Sequence, residues 1–280
     1  MNALRGPALL FCPADRPDRY AKALAAADTV IIDLEDAVAP RARPAARQAL
    51  LATPLDPGRV IVRVNPVGTD DHERDLRAVR RTAYRRIMVA KTESAGELGG
   101  LPDWEIIALC ETARGIVHAA EIAAAPSVIA LMWGAEDLVA SLGGYASRGP
   151  DGRYRDLARA ARTQVLLAAG AYGRAAIDAV HLDIKDLDGL ATETEDAAAS
   201  GFACKACIHP GQVETVRHGF APSGDRIAWA RRVVAACAEG GVVRVDGQMV
   251  DAPLLAQAQR ILAAAPPVPT EGEAANGPGR

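Results

Sequence analysis

Carboxylates gather at three places along this chain, Asp33, Glu35 and Asp36 in one run, Glu111 alone, and Asp137, with the cations Arg63 and Lys91 spaced between them. Two carboxylates aimed at one point repel unless a cation lies between them. All-oxygen ligation with few protein ligands and the rest water is the habit of Mg²⁺. On spacing alone, Glu111 and Asp137 have two readings: a metal-holding pair, or helix N-caps and salt-bridge partners of Arg114 and Lys91. Arg63 lies inside the apolar run Val62-Arg63-Val64-Asn65-Pro66, where a lone guanidinium is costly to bury unless it meets an anion. That anion is either Glu35 or Asp36, or the carboxylate of a bound substrate, which the guanidinium fork grips in bidentate fashion. Asp251, just ahead of Pro253, has the place of a helix N-cap. His209 reads as a strand-end side chain bonded to a backbone carbonyl.

Such side chains act together only if the fold brings them together, and the element pattern points to a TIM (β/α)8 barrel. Short apolar, β-branched runs recur at Ala8–Cys12, Thr29–Leu34, Val60–Val64, Ile87–Ala90, Ile106–Leu109, Val128–Trp133, Ile177–Ile184 and Ala203–Ile208. Several lack polar alternation, as parallel strands buried on both faces do. The segments between them look helical. Tyr20–Ala27 and Arg41–Ala52 are Ala-rich, and Leu157, Ala161, Val165 and Ala168 form one apolar stripe. No Gly-x-Gly-x-x-Gly follows any strand, which argues against a dinucleotide-binding sheet. In a barrel the functional groups sit at the C-terminal strand ends. Those ends are Asp33, Glu35 and Asp36, then Arg63 and Asn65, Lys91, Glu111, Asp137, Asp183 and His209. Glu111 and Asp137 are one β–α unit apart, hence neighbours on the rim. The Gly- and Pro-rich stretch Leu142–Tyr154 reads as a mobile loop beside the site.

The expected organisation is a catalytic barrel over residues 1–221, a small C-terminal helical module acting as a lid over 222–265, and a disordered tail over 266–280. In the module, Ile227, Ala230, Val233 and Cys237 mark a helix. Val242–Val245 with Asp246-Gly247 suggests a strand and hairpin turn, and Leu254, Ala258 and Ile261 a final helix. The tail is rich in Pro, Gly and Glu.

Composition narrows the function classes. Half of the 280 residues are hydrophobic and only 4 % are aromatic, so the core must rest on Ala, Val, Ile and Leu. A formal charge of −3 gives no general attraction to nucleic acid or to anionic membranes. The basic stretch from Arg74 to Arg86, opened by Asp70, Asp71, Glu73 and Asp75, reads as a solvated helix aligned with its macrodipole. No run approaches the ~20 apolar residues of a membrane span, and Ala8–Cys12 is too short for a signal peptide. Five cysteines, an odd number without scaffold spacing, suit a reducing, cytoplasmic setting. Cys204, Cys207 and His209 mimic half a zinc site but lack a second pair of ligands, so the thiols read as core.

The segments Phe11-Cys12-Pro13-Ala14-Asp15-Arg16-Pro17, Ile32-Asp33-Leu34-Glu35-Asp36-Ala37-Val38, Arg63-Val64-Asn65-Pro66 and Ala90-Lys91-Thr92-Glu93-Ser94 follow one another in a recognisable order. Glu111-Thr112-Ala113-Arg114-Gly115, Gly134-Ala135-Glu136-Asp137-Leu138, Ile208-His209-Pro210-Gly211-Gln212-Val213 and Val245–Pro253 continue it. From about Leu10 to Leu262 the chain resembles the citrate lyase β-subunit-like CoA-ester lyases of the HpcH/HpaI aldolase superfamily. The resemblance implies Mg²⁺ on Glu111 and Asp137, with Glu35 and Asp36 anchoring its waters. It implies Arg63, beside Glu111, on the substrate carboxylate and developing oxyanion, and Arg16 and Lys22 on CoA phosphates. Asp251 would reach into a neighbouring subunit as the acid/base of a homotrimer or hexamer. The implied reaction cleaves or forms the carbon–carbon bond of malyl-, β-methylmalyl- or citramalyl-CoA, with an oxoacid and acetyl- or propionyl-CoA as the other side. A malyl-CoA thioesterase, a citrate lyase β subunit and a CoA-independent aldolase are the rivals. Cys12 and Ala90 stand where the family commonly has Val and Pro, both packing positions. The intact Asp251 segment favours a self-sufficient acyl-CoA lyase over a subunit that needs a carrier protein.

Overall fold

The computed structural model describes residues 4–238 and 242–265; the tail expected over 266–280 lies outside them. The chain divides into two compact units, Met1–Gly219 and Phe220–Arg280.

In the first unit, eight strands close into a parallel barrel in chain order: β1 (Ala8–Pro13), β2 (Thr29–Asp33), β3 (Val60–Val64), β4 (Arg86–Val89), β5 (Glu105–Cys110), β6 (Val128–Trp133), β7 (Ala175–Asp178) and β8 (Cys204–Cys207). Closure comes from β1, which pairs with β2 on one side and β8 on the other, so no strand edge is left open. The apolar runs are needed because both faces are covered: every residue of β2, β3 and β8 is buried. Side chains alternate along a strand. One set, including Leu9, Ile31, Ile61, Met88, Ile107, Ala130, Ile177 and Ala206, meets as the interior core. This is the expected TIM barrel.

Several expectations need correction. The seventh strand ends at Asp178 rather than Ile184, because the apolar residues after it, Leu182 and Ile184, stay exposed. Asp183 is thus a loop residue whose carboxylate accepts the Lys185 N–H. His209 caps a short 3-10 turn, Pro210–Gln212, accepting the Gly211 N–H at 3.1 Å instead of bonding a carbonyl. The acidic start of the Asp70–Val79 helix is not simply solvated. Asp71 and the fully buried Asp75 receive Arg43 and Arg47 from the Arg43–Ala52 helix. At the far end of the Gly- and Pro-rich stretch, Tyr154 lies edge-on against Trp133 at 5.2 Å and Arg148 stacks 3.7 Å over the Tyr154 ring. Cys12, Cys110, Cys204 and Cys207 are buried, as core thiols should be.

The second unit packs the helices Gly224–Ala236 and Ala252–Ala264 around Ala230, Val233, Val245, Val250 and Ala258. Its hairpin joins Val243–Val245 to Gln248–Val250, and both turn residues, Asp246 and Gly247, have positive φ, as the tight hairpin turn requires. Among the described residues, no helix is long and apolar enough to cross a membrane.

Candidate active site

One period beyond the interior core, the same inward faces turn polar. On β2 Asp33 follows Ile31, on β3 Arg63 follows Ile61, and past β5 Glu111 follows Leu109. Alternation alone therefore carries these groups to the mouth of the barrel.

Asp33 and Arg63 are register partners on adjacent strands. The buried Asp33 carboxylate accepts Arg63 Nε at 2.7 Å and Nη2 at 2.6 Å. It also accepts the backbone N–H groups of Glu35 and Ala37, each at 2.9 Å. From sequence, the anion meeting Arg63 is Glu35 or Asp36, or a substrate carboxylate. The structure makes Asp33 the bidentate partner, with Glu35 at 3.3 Å and Asp36 at 3.9 Å, because pairing in register sets Asp33 directly alongside. Phe11 adds its ring face 4.8 Å from the guanidinium. Burial opposes charge on Arg63, but the hydrogen bonds and charge of Asp33 outweigh it and hold the pKa above its ordinary value. Asn65 is structural: its amide donates to the Leu34 carbonyl and to Asp75.

Lys91 follows β4 with φ 51°, a left-handed conformation that costs a residue with a Cβ about 1–2 kcal/mol. Its N–H donates to Glu111 Oε1 at 3.1 Å. Its Nζ lies 2.5 Å from Glu35, 3.2 Å from Asp137, 3.5 Å from Asp36 and 3.9 Å from Glu111. Burial works against this ammonium, yet the hydrogen bond to Glu35 and the neighbouring acids raise its pKa above the usual lysine value.

Glu111 is almost wholly buried, and burial, followed by the charge of Asp137, pushes its carboxyl up to about 8. It fits only because residue 134 is glycine: a Cβ there would stand 2.8 Å from Glu111 Oε2 and 2.9 Å from its Cβ. The alternative roles as caps do not hold. Thr112 caps the Ala113–Val117 helix, accepting the Gly115 N–H. The Ala135–Ser141 helix, which carries Asp137, has no side-chain cap, and Arg114 turns to Glu93. Lys91 does pair with both carboxylates.

Among the described residues, no three His, Cys, Asp or Glu side chains converge as a ready-made metal cage. What converges is a pair. Glu111 and Asp137 approach one ammonium, with Glu35 and Asp36 around it. Hard carboxylate oxygens, few in number, fit a Mg²⁺ that keeps most of its waters.

The remaining candidates lie elsewhere. Arg16, just past β1, is exposed and forks onto Asp18 with two contacts of 3.1 Å. Lys22 is exposed on the Tyr20–Ala26 helix. Asp251 belongs to the second unit, where it caps the Ala252–Ala264 helix by accepting the Leu254 N–H.

One polar network escaped the sequence reading. Lys205, fully buried on β8, donates to Asp178 at 3.0 Å and to the Ala179 carbonyl at 2.8 Å. Asp178 also accepts Trp133 Nε1 at 2.8 Å and Arg162 Nε at 2.9 Å. A cavity of about 480 Å³ adjoins it, bordered by Tyr154, Arg162, His181 and Glu193. The signal was present, since Lys205 is a lone cation in an apolar strand, as Arg63 is.

Two stretches of the chain, residues 8–103 and 102–210, match the model of a family described as HpcH/HpaI aldolase/citrate lyase. A citrate lyase subunit beta-like protein of Mycobacterium tuberculosis is 57 % identical over 258 residues, which is 92 % of this chain and 94 % of the relative. A (3S)-malyl-CoA thioesterase of Cereibacter sphaeroides is 37 % identical over 272 residues, covering 92 % and 93 %. Among solved structures, the M. tuberculosis protein CitE in complex with magnesium, acetoacetate and coenzyme A superposes with a TM-score of 0.91 at 56 % identity, covering 94 % of this chain and 99 % of that one. A citrate lyase beta subunit from the same organism, complexed with oxaloacetate and magnesium, gives 0.78 at 58 % identity, covering 79 % and 100 %.

Proposed function

The chain belongs to the HpcH/HpaI aldolase/citrate lyase family, a family of carbon–carbon lyases, and from that premise we propose that it is a Mg²⁺-dependent CoA-ester lyase. Its substrate class is a short β-hydroxyacyl-CoA, malyl-, β-methylmalyl- or citramalyl-CoA, split into an α-oxoacid and acetyl- or propionyl-CoA. The observation that carries the reading is the approach of Glu111 and Asp137 to one cation within the carboxylate ring that also contacts Arg63. Glu111 and Asp137 would hold Mg²⁺, which would supply Lewis acidity at the hydroxyl and carboxylate oxygens of the substrate.

The chain's own groups divide the remaining work. Asp33 holds two N–H groups of Arg63 and Glu35 lies near Nη1. Donors are left over on a guanidinium with five, enough to grip the oxoacid carboxylate and steady the developing oxyanion. Glu35 and Asp36, which anchor water beside Glu111 and Asp137, take the hydroxyl proton through it. As the Cα–Cβ bond breaks, its electron pair passes to the thioester as an enolate. Asp251 of a neighbouring subunit returns a proton to that carbon. Arg16 and Lys22 hold CoA phosphates from the loop and helix after β1. Run in reverse, the same groups condense an oxoacid with an acyl-CoA.

A second reading, hydrolysis of malyl-CoA to malate and CoA, is favoured by the relative that bears that activity in its name. Both are tested by following oxoacid, acyl-CoA and CoA after purified protein is mixed with Mg²⁺ and either malyl-CoA alone or acetyl-CoA with glyoxylate, pyruvate or oxaloacetate in turn. Condensation or cleavage that stops with EDTA and in Glu111→Gln supports the lyase. Release of CoA with no oxoacid turnover selects the thioesterase, and undiminished activity in Glu111→Gln removes the metal assignment.

A further inference from the structure

Lys91 is placed by an unusual backbone and by a crowd of acids. It and Asp246 are the non-glycine residues with positive φ among those described. The conformation is held by the Lys91 N–H on Glu111 and by the next residue, whose N–H reaches the Leu109 carbonyl. The side chain then drops its ammonium among Glu35, Asp36, Glu111 and Asp137. Arg63, the other cation facing this ring, is committed to Asp33 and Glu35. Among the described residues, five carboxylates thus face two cations, and only Lys91 approaches both Glu111 and Asp137.

We propose that Lys91 is a built-in placeholder cation: its ammonium stands where the divalent ion belongs, holds the carboxylate ring together without metal, and withdraws when metal enters. The inference rests on assigning Glu111 and Asp137 to the metal. Mg²⁺ sits about 2.0–2.1 Å from its oxygen ligands, so an ammonium 3.2 Å from Asp137 lies in the same small volume and repels it. Lys91 has a flexible four-carbon stem and is about a third exposed, and Asp36 beside it is half exposed. The ammonium can therefore swing outward along Asp36 while the backbone N–H stays on Glu111.

The test measures metal binding directly. Wild type, Lys91→Met, Lys91→Gly and Lys91→Arg, each stripped with EDTA, are titrated with MgCl₂ by calorimetry and melted with and without Mg²⁺. Removing the competing charge in Lys91→Met tightens Mg²⁺ binding on the order of tenfold, whereas Lys91→Arg keeps or weakens the wild-type affinity. Metal-free Lys91→Met melts below wild type, and saturating Mg²⁺ narrows the gap. Lys91→Gly, which accepts the left-handed backbone, gains the same affinity with a smaller loss of melting temperature, and carries the test if Lys91→Met does not fold. Equal or weaker binding by both neutral variants, with wild type binding normally, overturns the placeholder and leaves the metal site standing. Absence of Mg²⁺ binding in wild type and every variant overturns the metal assignment and the inference with it.

Discussion

Gly134 and Glu111 compete for one volume, which makes position 134 as demanding as any catalytic residue. Its φ of −127° is ordinary extended backbone, so the requirement for glycine is spatial: a methyl group would meet Glu111 below 3.0 Å. Gly134→Ala should therefore displace the Glu111 carboxylate with little change in fold. A loss of turnover of at least about tenfold, with Mg²⁺ affinity falling in step, is the expected result; wild-type values for both would show that Glu111 has room to yield. At this scale the sequence was legible wherever a charge broke an apolar run. Arg63 stood out that way, and the mouth of the barrel could be read from it. Its true partner could not, because choosing Asp33 over Glu35 or Asp36 needs the strand register. Lys205 carried the same signal but was passed over as part of a cysteine pair, although its buried partner Asp178 ends the neighbouring strand.

Strands β7 and β8 are the shortest of the barrel, four residues each, together with β4. Their joint is reinforced by ions. Glu193, from the Leu187–Ser200 helix, receives His181, Arg148 and Lys205. Burial alone would raise its carboxyl, but the hydrogen bonds from His181 and Arg148 and the charge of Lys205 prevail and hold it at about 2, against an ordinary 4.5. A folded-state pKa below the unfolded one stabilises the fold above the unfolded value, and that contribution disappears as pH falls through the folded one. Glu193→Gln should cost ~2 kcal/mol in urea unfolding at pH 7. The difference from wild type should shrink between pH 4.5 and about 2; a constant difference across that range would mean that the charge on Glu193 is irrelevant. The element pattern was mostly legible because buried parallel strands are continuous apolar runs. It failed at β7, where Leu182 and Ile184 extend the run in sequence but lie exposed in a loop.

The whole molecule consists of two compact units, Met1–Gly219 and Phe220–Arg280. The rim groups Glu35, Arg63, Lys91, Glu111 and Asp137 all come from the first unit, and Asp251 from the second. If Asp251 serves a neighbour's barrel, two inactive variants should rescue each other. Co-expression of Glu111→Gln with Asp251→Asn places an intact barrel beside an intact Asp251 in about a quarter of the sites of a randomly mixed closed ring. Activity recovered toward that fraction supports the exchange, whereas none would assign Asp251 to its own chain, and full activity of Asp251→Asn by itself would leave it a helix cap alone. Fold class and family were legible at this scale from the order of motifs; which barrel Asp251 serves is not written in any local pattern. The buried thiols give the barrel a further use as its own reporter. Burial pushes Cys12, Cys110, Cys204 and Cys207 up to about 11 or 12, while Cys237 is only partly covered. A disulfide reagent should colour quickly with one equivalent per chain, and then wait. The slow sulfurs include Cys204, on the strand that zips to β1, so the pace of their release times how often the ring comes unfastened.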